Sequence, residues 1–294
     1  MRVAVTGAAG FIGRSLVKSL LERGDSVIAF SRRPEPVAAD PVSLTPAAWP
    51  PTGVFPTVDA VIHLAGEPVD GRWTEEKKAA IRASRSEGTR ALVEAIGAAP
   101  VRPAALISAS AIGYYGDRGE EVITESAEAG DGFLADACVQ WEQAAYEAVS
   151  LGLRVATVRT GVVLDRDGGA IRKMLPAYRM GLGGPMGSGS QWFAWIHRDD
   201  IVGLYLHLLD TGLDGPVNGA SPNPVRQRDF ATTLGSVLCR PAILPTPSFA
   251  LRLAFGEFAG TFFHSQRVLP EKAERNGFTF RYPALREALT AALA

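Results

Sequence analysis

Gly7, Gly10 and Gly13 recur at a spacing of three in VAVTGAAGFIGRSL, directly behind a short run of β-branched and small apolar residues. A turn of that composition presents backbone instead of side chains, and the ligand that requires this is a pyrophosphate. Gly7 allows the tight turn, Gly10 removes the Cβ that would block the phosphates, and Gly13 lets the following helix pack closely on the sheet. The first helical amides, at Phe11, Ile12 and Gly13, then meet the anion together with the positive end of the helix dipole. The next chemical signal stands about 20 residues on, at the end of the second expected strand, where an acid would serve a bare ribose. The chain instead reads Ser31-Arg32-Arg33, a hydroxyl and two guanidinium forks that suit a 2′-phosphate. The phosphorylated dinucleotide NADP(H) is therefore the expected cofactor.

These groups need a scaffold, and short apolar runs at Val3–Thr6, Ser26–Phe30, Ala60–Leu64, Ala104–Ser108 and Arg154–Val158 read as strands. Between them Ile12, Leu16, Val17, Leu20 and Leu21 share one helical face, as do Ala91, Leu92, Ala95 and Ile96 in a helix from about Thr74. Strands alternating with amphipathic helices predict an α/β fold, a doubly wound parallel sheet covered on both faces. The segment 34–56 holds seven prolines and reads as an irregular connection lacking the usual helix. The expected division is a Rossmann domain over 1–160 with about 192–220, and a smaller substrate-side region over about 161–191 and 221–294. In the latter, GLGGPMGSGSQ at 181–191 reads as a flexible loop able to close over a substrate.

Composition narrows the partners. With 47% hydrophobic residues over 294 positions a sizeable core is affordable, and a formal charge of −1 without a long basic run argues against nucleic acid. Small molecules are the expected partners. Cys138 and Cys239 form no Cys-x-x-Cys or Cys/His cluster, so neither a disulfide framework nor a metal site is expected. The apolar stretch Phe249–Phe263 is broken by Arg252 and Glu257 and falls short of the about 20 residues of a membrane span. With only Arg2 between Met1 and the glycine-bearing stretch, no signal peptide is expected, and the reading is cytoplasmic. The sequence dictates no particular oligomeric state.

In order along the chain, TGAAGFIG, DAVIHLAG, ISASAIGYYG, WFAWIHRDDIVGLYLHLL and RVLPEKAERNGFTFRYPALREAL resemble an extended short-chain dehydrogenase/reductase. The last segment is similar to that of an atypical branch, the epimerase family proteins, some labelled cell-division inhibitors. The resemblance spans nearly the whole chain. It implies cofactor contacts at the glycine turn, at Ser31-Arg32-Arg33, and along the backbone of His63-Leu64-Ala65-Gly66, which should pass beneath the dinucleotide.

The superfamily's catalytic trio is a Ser or Thr, then a Tyr and a Lys four residues apart on the next helix. Ser110 fits the first role. Where the pair belongs, GFLADACVQWEQ places Leu134 and Cys138, or in the neighbouring register Phe133 and Ala137. No tyrosine in the chain has a lysine four residues later; Tyr114 and Tyr282 are followed there by Arg118 and Arg286. An unaided tyrosine costs about 4 kcal/mol to ionise at pH 7, which penalises alcohol oxidation more than reduction. The expectation is a reductase or epimerase-like enzyme acting on a small carbonyl compound, with Ser110 polarising the substrate and Tyr115, or else Tyr114, as proton donor. The alternative is a cofactor-bound redox sensor or interaction protein without turnover.

Four further features read as structural. Asp136 and Glu142 suit a solvated helical face, and Cys138 a small buried hydrophobe. Trp141 with Phe249, Phe255, Phe258, Phe262 and Phe263 suggests core packing or an apolar cavity. Asp199 or Asp200 is the expected N-cap of the helix that follows them.

Overall fold

The strand-forming runs and the helices between them assemble as a parallel α/β sheet in the computed structural model, which describes residues 1–32, 44–51 and 53–294. In chain order the elements are β1 (Arg2–Thr6), α1 (Phe11–Glu22), β2 (Ser26–Ser31), β3 (Leu44–Ala48), β4 (Ala60–His63), α2 (Glu75–Gly97) and β5 (Ala105–Ala111). β6 (Val122–Ile123), α3 (Phe133–Tyr146), β7 (Arg154–Thr160), β8 (Val162–Leu164), α4 (Gly169–Arg179), β9 (Trp192–Phe193), β10 (Trp195–His197) and α5 (Arg198–Asp210) follow. The chain closes with β11 (Gly215–Gly219), β12 (Val225–Arg226), α6 (Gln227–Val237), α7 (Ser248–Phe255), β13 (Arg267–Val268), α8 (Glu271–Arg275) and α9 (Leu285–Leu293).

Seven strands pair in the order β11-β7-β5-β4-β1-β2-β3, every neighbour parallel. Alternation along each strand sends side chains to opposite faces. Val3 and Val5 of β1 pack with Leu16 and Leu20 of α1 and with Leu204 and Leu208 of α5. Ala4, between them, joins Leu92 and Ile96 of α2 and Ala145 at the end of α3 on the other face. A separate cluster gathers Ile171 and Leu175 of α4, Phe230 and Leu234 of α6, and Leu285 and Leu289 of α9 around Trp195.

Three expectations change. The proline-rich stretch 34–56, read as irregular, contributes β3, paired in parallel with β2. Pro46 is compatible with this because β3 is the outermost strand, where a missing N–H breaks no ladder on its outer side. The expected absence of a helix before it concerns 33–43, outside the described residues. The N-cap of α5 is His197, whose Nδ1 accepts from the Asp199 amide at 3.1 Å, rather than either aspartate. Asp200 instead accepts from the amides of Arg281 and Tyr282 at 2.7 and 3.0 Å, tying the C-terminal segment to α5.

The stretch 181–191 is also pinned rather than free. Leu244 donates to Gly183, Thr246 to Pro185, Gly187 back to Thr246, and Arg228 to Gly189. Among the described residues no helix is long and apolar enough to cross a membrane.

Candidate functional site

The β1–α1 turn is built from contacts that only glycine tolerates. Gly7 has φ +68°, and a Cβ there would lie 2.8 Å from the Leu64 carbonyl carbon and 2.9 Å from the Ala65 amide. At Gly13 it would stand 2.2 Å from the Gly7 oxygen and 2.9 Å from the Ala8 Cα, so this glycine admits α1 onto the turn itself. At Gly10 the sole clash is with the Gly7 oxygen, at 2.9 Å. Gly10 caps α1 without a side-chain acceptor, the first turn carries no carboxylate, and the amides of Phe11, Ile12 and Gly13 have no hydrogen-bond partner among the described residues. A cradle of free amides behind a bare Cα is what a pyrophosphate fits.

Opposite the turn, the end of β4 is fixed by a buried relay. The Thr6 hydroxyl accepts from the Leu64 and Ala65 amides at 3.1 and 3.2 Å and lies 2.7 Å from His63 Nδ1. With two amides donating to it, this hydroxyl gives its own proton to Nδ1, leaving Nε2–H to donate to Thr89 at 3.0 Å. The imidazole is fully buried, and burial pushes its pKa down to about 3. His63 is thus a neutral brace whose ring is sealed inside; what the groove receives is the backbone of Leu64-Ala65-Gly66.

At the end of β2, Ser31 is half-buried and Arg32 is 77% exposed, its Nη1 3.8 Å from Glu67 Oε2. Arg33 lies outside the described residues.

Ser110 and Tyr115, the expected polarising and donor groups, both turn their hydroxyls into the protein. The Ser110 hydroxyl donates to Glu142 Oε1 at 2.7 Å, inside the protein. Glu142 is not on a solvated face: it is buried in a two-pronged pair with Arg159, whose Nε and Nη2 each donate at 2.8 Å. Tyr115 is 0% exposed, donating to Asn218 Oδ1 at 2.7 Å and accepting from Arg159 Nη1 at 3.0 Å. Burial pushes its pKa up to about 12. The expected proton donor is a sealed tie between β7 and β11. Tyr114 lies against the same guanidinium, 3.4 Å from ring centroid to Cζ. Sequence reading missed Arg159 and Asn218, which lie on strands distant in the chain and carry no local signal. Asp136 is exposed, as expected.

A cleft of about 240 Å³ opens beyond the end of β5, lined among others by Trp73, Gly113, Phe133, Leu134, Thr261 and His264. Trp73 meets Phe133 and Phe258 with ring centroids 4.8 and 5.4 Å apart, and Phe258 contacts Phe255 and Phe262 in turn. Three of the late phenylalanines therefore form an aromatic cluster packed behind Trp73, whereas Phe249 is 72% exposed. Burial lowers the His264 pKa, with Asp117 opposing, so its ring is neutral near pH 7. Behind the cleft, Cys138 Sγ and the Leu134 side chain crowd Gly113, at 3.8 and 3.2 Å from where its Cβ would stand.

Residues 3–220 match the NAD dependent epimerase/dehydratase family, and 246–292 match a domain of unknown function, DUF1731. The chain belongs to the NAD-dependent epimerase/dehydratase family. Relatives include an Arabidopsis thaliana chloroplastic epimerase family protein SDR39U1 homolog, 41% identical over 99% of this chain and 86% of its own length. The Bacillus subtilis epimerase family protein YfhF is 36% identical over 100% of this chain and 98% of its own. Among solved structures, the human epimerase family protein SDR39U1 with NADPH superposes with a TM-score of 0.91 at 35% identity, covering 99% of each chain.

Helix α3 carries Leu134 and Cys138 at the positions where the resemblance to short-chain dehydrogenases implies a proton-transfer pair. Leu134 lines the cleft and Cys138 is a buried free thiol, its pKa pushed up to about 11 by burial. Neither can give or take a proton near neutrality.

Proposed function

We propose that the protein is an NADP(H)-dependent oxidoreductase that reduces a small, largely apolar carbonyl compound. The observation that carries the reading is the order of features at the carboxyl ends of neighbouring parallel strands. β1 ends at the free amides of α1, β4 at Leu64-Ala65-Gly66 and β5 at the cleft by Gly113 and Leu134, and this row is the path we assign to the dinucleotide. Bound along that path, the dinucleotide would supply hydride at the cleft. Arg32 stands where it can answer a 2′-phosphate, and the human relative's structure was solved with NADPH. Trp73, Phe133 and Leu134 give the cleft an apolar side that favours an apolar portion of the substrate, while Asp131 and Glu257 also lie on its lining. Residues 161–191 and 221–294 form the substrate side, contributing Thr261 and His264 to the lining. With Tyr115 sealed, His264 is the lining group that can polarise the substrate: its neutral ring keeps an N–H to donate a hydrogen bond to the carbonyl oxygen as hydride arrives, and water supplies the proton that completes the alcohol.

The test is loss of NADPH absorbance with a panel of small aldehydes, ketones and enones, repeated with His264→Ala. Turnover that falls at least tenfold in the variant, with NADPH affinity retained, supports the assignment. A second reading, a cofactor-bound sensor without turnover, draws on the inward-turned hydroxyls of Ser110 and Tyr115. NADPH that binds but transfers hydride to nothing in the panel would favour it.

A further inference from the structure

Asp70 and Lys173 join two parts of the chain that flank the β1–α1 turn. Asp70 lies on the segment between β4 and α2, which is fixed on either side of it: the Glu67 amide donates to the Ser84 hydroxyl at 2.9 Å, and the Trp73 indole donates to the Val69 carbonyl at 2.7 Å. Lys173 stands one turn into α4, on the substrate side, and its ammonium donates to the Asp70 carboxylate. That bond holds the Asp70 carboxyl below its ordinary pKa, so the pair is charged near neutrality. The two side chains are 46% and 60% exposed. An ion pair so open to water adds little to folding stability, and its consequence lies in where it stands.

The contacts around the turn close a ring. Phe11, the first residue of α1, lays its ring on the start of α4, where a Cβ at Gly169 would stand 3.3 Å from it and one at Gly168 would overlap it. From α4 the Lys173–Asp70 pair crosses to the segment after β4, and the Leu64-Ala65 backbone at the head of that segment lies against Gly7. The ring thus begins and ends on the turn whose Phe11, Ile12 and Gly13 amides have no partner among the described residues. Its other links are backbone and packing; the Asp70–Lys173 link alone is made by two flexible charged side chains. We infer that this pair is a clasp over the pyrophosphate of bound NADP(H), one that must part before the dinucleotide enters or leaves. The inference rests on the nucleotide reading above and adds to it a control of exchange. Nearer the cleft the same segment is tied to the substrate side a second time, by Arg72 Nη2 donating to the Leu253 carbonyl at 3.1 Å and by Lys78 paired with Glu257, so an open clasp leaves the cleft held.

The test is the rate of NADPH release, read by stopped-flow as bound NADPH fluorescence is lost to a chase of excess NADP⁺, with association rates measured alongside. The variants are Asp70→Asn, Lys173→Met, the double swap of Asp70→Lys with Lys173→Asp, and Lys18→Met, which removes an exposed ammonium from the Lys18–Glu22 pair on α1. The expected result is NADPH released and bound about two- to fivefold faster in both neutralising variants, as for loss of an exposed ion pair, with the swap near wild type and Lys18→Met unchanged. The gap between wild type and the two variants should close in 0.5 M NaCl, where exposed charges are screened. A simple field acting on the anionic cofactor gives the opposite pattern, slower release from Asp70→Asn and faster from Lys173→Met. That pattern, unchanged rates in both variants, or a swap as fast as the single variants overturns the clasp while NADPH binding stands. A wild-type protein that binds no NADPH removes the nucleotide reading itself, and the clasp with it.

Discussion

Replacing Tyr115 with Phe removes a single oxygen from a site with no solvent access, and its consequences can be counted. The phenol accepts from the Arg159 guanidinium at 3.0 Å and donates to Asn218 Oδ1 at 2.7 Å. Arg159 keeps its pair with Glu142, but its Nη1 is left with only the Glu125 carbonyl at 3.5 Å. Asn218 Oδ1 becomes a buried acceptor with nothing to accept from. A hydrogen bond to a charged group contributes about 1.5–3 kcal/mol and a neutral one about 0.5–1.5, so the variant should lose about 2–4 kcal/mol of stability. In urea that moves the midpoint down by about 1 M with little change in slope. NADPH affinity should stay within about threefold of wild type, because the hydroxyl is off the groove and the affected bonds do not reach it. Equilibrium unfolding, a cofactor titration and turnover on the same preparation make the check. An unshifted midpoint combined with turnover reduced a hundredfold would show that Tyr115 is a proton donor after all.

Arg32→Ala should cost NADPH at least about tenfold in affinity while leaving NADH unchanged, since one charge-assisted bond to the 2′-phosphate is lost; fluorescence titration with both cofactors reads the ratio, and an unaltered ratio contradicts the assignment. Gly10→Val should abolish NADPH binding by filling the cradle, with the far-UV circular dichroism spectrum retained; wild-type affinity in that variant would move the phosphates elsewhere. His63, held near a pKa of about 3 by burial against 6.5 when unfolded, takes up its proton only in the unfolded chain between those values. Its contribution to stability is therefore complete above pH 6.5 and is lost as pH falls toward 3, with a slope of up to about 1.4 kcal/mol per pH unit. Unfolding measured at several pH values should show that slope flattened in His63→Gln, and an identical slope would place the titration on another group.

The parts of the molecule legible in the sequence are those whose physics is local. Val3 to Thr6 followed by Gly7, Gly10 and Gly13 announces a strand, a turn and a helix, because apolar periodicity and the steric demands of a tight turn act over a few residues. Thr74 likewise reads as the start of α2, and its hydroxyl does accept from Lys77. The misreadings arise where tertiary partners decide. Pro46 looks like a breaker, yet an outermost strand accommodates it. Glu142 has the sequence context of a surface helix, and only the arrival of Arg159 from β7 makes it a buried partner. The tyrosine beside Gly116 looked available for chemistry because nothing nearby in sequence reveals Asn218, more than a hundred residues later, closing over it. His264 likewise acquires meaning once 256–264 folds over Trp73 and Phe133.

Hydride transfer itself is the most direct test of the oxidoreductase reading. NADPH carrying deuterium on one face of the nicotinamide C4 is incubated with the protein and the panel of small apolar aldehydes, ketones and enones, and products are examined by mass spectrometry. The expected result is deuterium in at least one product from one face of the cofactor only, reduced at least tenfold in His264→Ala and absent in Gly10→Val. NADPH shown to be bound in the wild-type protein, with no deuterium in any product from either face, would contradict it.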